Sequence, residues 1–176
     1  MVTRPGRPRL RALASTSETD KKDKSVAAKV LVLSGPNLDR LGRREPEIYG
    51  RTTLAEIHQR LAEQASRRSA SVDCRQSNHE GVLIDWIGQA GDDGFDAILI
   101  NPGAYTHTSY ALHDAIKGCG LPTVELHLSN PDAREEFRRH SCVAPACLGR
   151  IAGFGAGSYG LALTAVLDHL VRTRLR

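Results

Sequence analysis

The stretch Ala97-Ile98-Leu99-Ile100-Asn101-Pro102-Gly103-Ala104-Tyr105-Thr106-His107-Thr108-Ser109 decides the fold. Its first four residues form an apolar run, which reads as a strand buried on both faces. Asn101 ends that run, Pro102 and Gly103 block its continuation, and Thr106-His107-Thr108-Ser109 brings in hydroxyls and an imidazole. Thr108 or Ser109 is placed to cap a helix over 110–117. A strand that empties through a polar loop into a helix is where open α/β sheets hold their ligands, outside the carboxyl ends of the strands.

The same pattern recurs on both sides of this stretch. A strand over 29–34 is broken by Gly35-Pro36-Asn37-Leu38, and a long loop covers 39–52. Thr52 or Thr53 caps a helix to about residue 69, with Leu54, Ile57, Leu61 and Ala65 on one face. A strand over 72–76 ends in Ser77-Asn78-His79-Glu80-Gly81, and a helix follows over about 82–90. After the strand at 96–100 comes one over 122–127, leading into Leu128-Ser129-Asn130-Pro131 and a short, heavily charged helix over about 133–139. A strand over 150–154 and a helix from Gly155-Ala156-Gly157-Ser158 to about residue 172 complete the chain. Five strands alternating with five helices predict an α/β fold, a flavodoxin-like three-layer sandwich around a five-stranded parallel sheet.

The chain's 176 residues suffice for one domain with an extension. The net charge of +4 sits in the extension. Residues 1–29 hold eight of the 24 Lys/Arg and three of the 20 Asp/Glu, leaving a balance of +5 there and −1 beyond. The basic character therefore belongs to a Pro/Ser/Thr-rich leader, expected to be disordered over 1–28, and not to a catalytic domain over 29–176. That distribution argues against nucleic acid as a partner, and no apolar run approaches the roughly 18 residues of a membrane helix. Cys74, Cys119, Cys142 and Cys147 show neither a CxxC pair nor zinc spacing, which fits reduced thiols in a cytoplasmic protein.

On this frame the unusual polar residues collect at one sheet edge: Asn37, then Asn78 and His79, then Asn101 and His107, then His127, Ser129 and Asn130. His127 and Glu125 are two apart on one strand, so their side chains point the same way. A carboxylate behind an imidazole holds its tautomer and favours the protonated ring, which suits a general acid, although a buried structural pair reads equally well. Arg134 and Arg138 suit a carboxylate-bearing substrate, or else a solvated helix face paired with Glu135 and Glu136. The loop 42–50 sets Arg43 and Arg44 near Tyr49, and a cation beside a phenol favours the phenolate. Glycines at both ends would let it close as a lid, the alternative being a charged surface loop. There is no HExxH, Walker loop or GxGxxG, and no metal-ligand spacing. Of five lysines only Lys117 lies beyond the leader and first strand, which disfavours an imine mechanism.

Taken together, GPNLDRLGRREPEIYG, QSNHEG, INPGAYTHTS, VELHLSN and AREEFRRHS resemble type II 3-dehydroquinate dehydratase, over about residues 29–172. The resemblance implies a shikimate-pathway hydro-lyase that converts 3-dehydroquinate to 3-dehydroshikimate by anti elimination, without metal, cofactor or Schiff base. It assigns Tyr49 as the base, with Arg44 holding it as phenolate, and His127 as the acid. Asn37 would hold a water against the enolate, and Glu125 would orient groups in the site. Asn101, His107, Leu128 through its backbone, Ser129 and Arg138 match substrate-binding positions, and Arg134 a lid contact. Asp114 matches an aspartate reaching into a neighbouring subunit, which implies trimers assembling to a dodecamer. Ser34 replaces the family's usual Asn before GPNL, and Tyr110 and His113 also depart from its pattern. A catalytically silent binding domain of the same fold is the rival reading.

Overall fold

The computed structural model of the chain describes residues 28–43 and 51–175. The leader expected over 1–28, except Ala28 itself, and the candidate base Tyr49 with its Arg44 lie outside the described residues.

Five strands, β1 (Ala28–Ser34), β2 (Ala70–Gln76), β3 (Ala97–Asn101), β4 (Thr123–His127) and β5 (Gly149–Ala152), pair in parallel in the order β2-β1-β3-β4-β5. Around them lie helices α1 (Leu54–Ser66), α2 (Glu80–Gln89), α3 (Tyr110–Cys119) and α4 (Gly157–Arg174). The expected α/β sandwich with a parallel sheet is the observed one. Because β2 and β3 lie on opposite sides of β1, the chain reverses direction across the sheet there, and a crevice opens between the loops after β1 and β3.

Alternation along the strands builds the two cores. Val30, Val32, Leu99, Val124 and Leu126 face α1 and α4, meeting Ile57, Leu61, Tyr159 and Leu163. Leu31, Leu33, Ile98 and Ile100 face α2 and α3, meeting Leu83, Ile87, Leu112 and Ile116. Each such fully buried side chain contributes roughly 1.5–3 kcal/mol over its exposed state. Two helix starts are set by the residues anticipated for them. Thr53 accepts from Glu56 N while Glu56 accepts from Thr53 N, closing a capping box on α1, and Ser109 accepts from Leu112 N at the start of α3. On α1, the half-buried His58 has Nε2 without a hydrogen-bond partner among the described residues, and burial pushes its pKa down.

The charged segment departs from expectation. Between β4 and β5 no α-helix forms over 133–139; two 3-10 turns, Pro131–Ala133 and Glu136–Arg138, stand apart with Arg134 and Glu135 extended between them. A helix here would have no apolar stripe to bury, since Phe137 is 61% exposed, and so short a helix is not stable without one. The asparagine at the end of the preceding loop also diverts the chain: Asn130 accepts from Asp132 N and fixes a turn instead. β5 stops at Ala152 because Gly153 enters the left-handed region at φ 95°, against Asn130. No helix among the described residues is long and apolar enough to cross a membrane.

Candidate active site

The loops after β1 and β3 meet main chain to main chain. Gly35 N donates to Asn101 O at 2.8 Å, and a Cβ on Gly35 would sit 2.4 Å from Pro102 O. Gly103, at φ 60°, leaves room in return for Pro36. Only glycine permits this approach at both positions. The interlock fixes the base of a cavity of about 240 Å³ at the carboxyl end of the sheet.

Asn37 follows the interlock in a left-handed conformation, φ 64°, and its N–H donates to Asn78 Oδ1 at 2.8 Å. Asn78 takes a further bond from Gln76 Nε2, and Tyr105 donates its hydroxyl to Asn78 O at 2.8 Å. Asn78 thus ties three loops together from outside the cavity, while Asn37 lines it. Asn101, at the end of β3, lines the cavity with its amide held on both sides. Its Oδ1 accepts from Gly103 N and its Nδ2 donates to Tyr159 Oη. Tyr159 in turn meets Ser34 Oγ at 3.0 Å, so the Ser34 departure lies beneath the site and not in it. Burial pushes the Tyr159 phenol up to about 12, which keeps it a neutral hydrogen-bonding group.

β4 delivers His127 and its partner. His127 Nε2 lies 2.8 Å from Glu125 Oε1, the spacing that same-face positions on a strand provide. Glu125 is fully buried and its second oxygen accepts from Ser141 Oγ at 2.8 Å. His127 lines the cavity with Leu128 and Ser129 beside it. Leu128 O accepts from Gly155 N, which pins this backbone to the loop after β5. Because a carboxylate only accepts, Nε2 of His127 carries a hydrogen and Nδ1 is the nitrogen left for chemistry.

Two further walls complete the cavity. His107 donates Nδ1–H to His140 O at 2.7 Å, since a carbonyl only accepts, and its ring stands edge-on to Phe137. Arg134 and Arg138 line the opposite rim with Glu135 between them, its Oε2 2.9 Å from Arg138 Nε and 3.4 Å from Arg134 Nε. The Glu135 carboxyl is held below its ordinary range by its own backbone N–H and then by Arg138. The arginines share a wall through the extended residues between the two turns and not through helical spacing.

Asn37, Asn101, His107, His127, Leu128, Ser129, Arg134 and Arg138 therefore come together, with Glu125 behind His127. Asp114 is exposed on α3 and does not line the cavity; nor do His79 and Asn130, which share its sheet edge. Sequence reasoning missed Ser141 and Tyr159, and it named Glu135 only as a partner of the arginines on a solvated face, whereas Glu135 also lines the cavity. Ser141 closes the AREEFRRHS run, and only the tertiary fold shows which carboxylate it meets. The cysteines are poor nucleophiles where shifts are evident: burial pushes Cys74 and Cys147 up to about 12, with the Glu125 charge adding at Cys147. Among the described residues no group of three or more His, Cys, Asp or Glu is placed to hold a metal ion.

Comparison with known proteins bears on this arrangement. The profile of the family described as dehydroquinase class II matches residues 28–167. The chain is 54% identical over 143 residues to the 3-dehydroquinate dehydratase of Variovorax paradoxus, covering 79% of this chain and 98% of that one. It is 56% identical over 141 residues to the enzyme of the same name from Thermus thermophilus, covering 80% and 95%. Among solved structures, the type II dehydroquinase of Butyrivibrio crossotus superposes with a TM-score of 0.78 at 43% identity, over 80% of this chain and 98% of the other.

Proposed function

The chain belongs to the class II dehydroquinase family, and we propose that it removes water from 3-dehydroquinate to give 3-dehydroshikimate by anti elimination, a step of the shikimate pathway. The observation that carries this reading is the His127–Glu125 pair at 2.8 Å, facing a cavity whose other walls bear Asn101, His107, Arg134 and Arg138. A small ring with a carboxylate and several hydroxyls matches that mixture of cations and hydrogen-bonding groups.

The proton next to the substrate's ketone is the acidic one, so a phenolate suffices to remove it without an imine. Tyr49 takes this proton, with Arg44 stabilising its phenolate, and the electron pair moves into an enolate. A water held by Asn37 stabilises the enolate oxygen. The pair then returns to form the ring double bond conjugated with the ketone. The neighbouring hydroxyl departs with a proton from His127 and leaves as water. Support for Tyr49 comes from the other tyrosines, since none of Tyr105, Tyr110 and Tyr159 lines the cavity. Asn101, His107, Leu128, Ser129 and Arg138 bind the substrate, and Arg134 matches the family's lid-contacting position. Base and acid are then two groups of opposite role set by different surroundings.

The reading also carries a cytoplasmic location, no cofactor, and trimers assembling to a dodecamer in which Asp114 serves a neighbour's site; light scattering measures that assembly. Formation of the conjugated enone, followed by its ultraviolet absorbance, tests the activity. Tyr49→Phe and His127→Asn each abolish turnover in folded protein on this reading, and borohydride with substrate leaves the wild type active. A Tyr49→Phe protein with near-normal turnover overturns the base assignment. A folded wild type without turnover leaves a silent binding domain.

A further inference from the structure

We propose that Ser141 is a positioning residue for this reaction, locking the Glu125 carboxylate against the imidazole of His127. The inference rests on the assignment of His127 as the acid. Ser141 is buried, on the loop that precedes the 3-10 turn Ala144–Ala146. Its Oγ accepts hydrogen bonds from Val143 N at 3.1 Å and from Ala144 N at 2.9 Å. Both lone pairs are then in use, and the single hydroxyl hydrogen is left for Glu125 Oε2 at 2.8 Å. The direction of that hydroxyl follows from counting donors and acceptors.

The consequence is a carboxylate whose two oxygens have separate tasks. Oε2 is held by Ser141, and Oε1 is left to His127 Nε2. With Glu125 fully buried, water cannot replace either bond, so rotating the carboxylate costs one of them outright. The main chain at 143–144 thereby fixes the ring plane of His127 through two side chains, and with it the direction in which Nδ1 presents a proton. Ser141 lies outside the cavity lining, so it acts only through Glu125.

Steady-state kinetics on the full chain test this through a double-mutant cycle of Ser141→Ala with Glu125→Gln. Ser141→Ala lowers kcat by about tenfold, the loss of one charge-assisted hydrogen bond, with KM changed by less than about twofold. Ser141→Thr keeps the hydroxyl and recovers most of the lost kcat. In the Glu125→Gln background, Ser141→Ala causes no further loss. A serine that only holds the 144–146 turn gives losses that add in full and that Ser141→Thr does not specifically rescue; additivity overturns the inference, as does an unchanged kcat. Ser141→Cys, which keeps the size and weakens the donor, enters the same cycle should Ser141→Ala fail to fold. An inactive His127→Asn beside an additive cycle leaves the acid assignment standing and removes Ser141 from it. A fully active His127→Asn overturns both.

Discussion

Asn101 and Tyr159, 58 residues apart in the chain, are joined by a 3.3 Å hydrogen bond beneath the cavity, donated by the amide to the phenol. The helix α4 thus supports a side chain at the tip of β3. Tyr159→Phe keeps the ring in the core and removes only the hydroxyl, stranding Asn101 Nδ2 and Ser34 Oγ in a buried place. The expected cost is about 1–3 kcal/mol in chemical denaturation. KM for the substrate rises as the Asn101 amide loses one anchor. A variant with wild-type stability and KM would show that the phenol carries no such support.

Gly35→Ala tests the interlock between the β1 and β3 loops. The added Cβ would lie 2.4 Å from a backbone oxygen, which cannot swing aside as a side-chain tip does. One loop must shift, breaking the 2.8 Å bond from Gly35 to Asn101 and displacing Asn37 and Asn101 together. We expect a loss of about 1–3 kcal/mol and more than tenfold in kcat/KM, read by denaturation and turnover. Gly118→Ala is the control, because nothing lies near its Cβ.

Alkaline stability follows from three acids raised by burial, the fully buried Tyr159 and the half-buried Cys74 and Cys147. The Tyr159 phenol is raised from 10.0 to about 12, and the Cys74 and Cys147 thiols from 9.0 to about 12. As pH rises above 9, the unfolded chain releases protons that the native chain retains, so stability falls. The contribution of these groups is complete below pH 9 and disappears by about pH 12, with Tyr159 alone accounting for roughly 3 kcal/mol. Denaturation midpoints measured across this window should fall steadily, and Cys74→Ser with Cys147→Ser should flatten the first part of the decline.

His58 gives the opposite limb. Burial holds its pKa below 6.5, so the unfolded chain binds a proton first as pH falls. Its contribution is therefore intact above that value and lost as the solution becomes more acid. His58→Leu removes an unpartnered buried nitrogen and leaves an apolar group in its place. It should stabilise the fold by about 1 kcal/mol near neutrality and by more at acid pH. Equal or lower stability at acid pH would show that Nε2 is solvated there.

The sequence was most informative where one physical cause dominated. Apolar runs ended by Pro and Gly located β1, β3 and β4, the more polar β2 ended in a Ser-Asn-His loop, and Ser109 and Thr53 announced their helices because N-caps are local chemistry. Two-residue alternation was enough to anticipate that Glu125 and His127 touch. The segment over 133–139 misled because charge spacing resembles a helix, while its formation depends on an apolar face that Phe137 alone does not provide. Ser141 and Tyr159 were opaque for another reason: their partners lie 16 and 58 residues away, and no local pattern encodes such a meeting.

The base of the crevice is main chain against main chain where Gly35 meets Asn101 and Pro102, with only the Pro36 ring set beside Gly103. Variation in what the molecule selects is therefore best sought at its rim, at Ser129, Arg134, Glu135 and Arg138, which lie in and between the short turns after β4 and not on the sheet. An engineer seeking altered selectivity should randomise that rim and leave the glycine seam untouched.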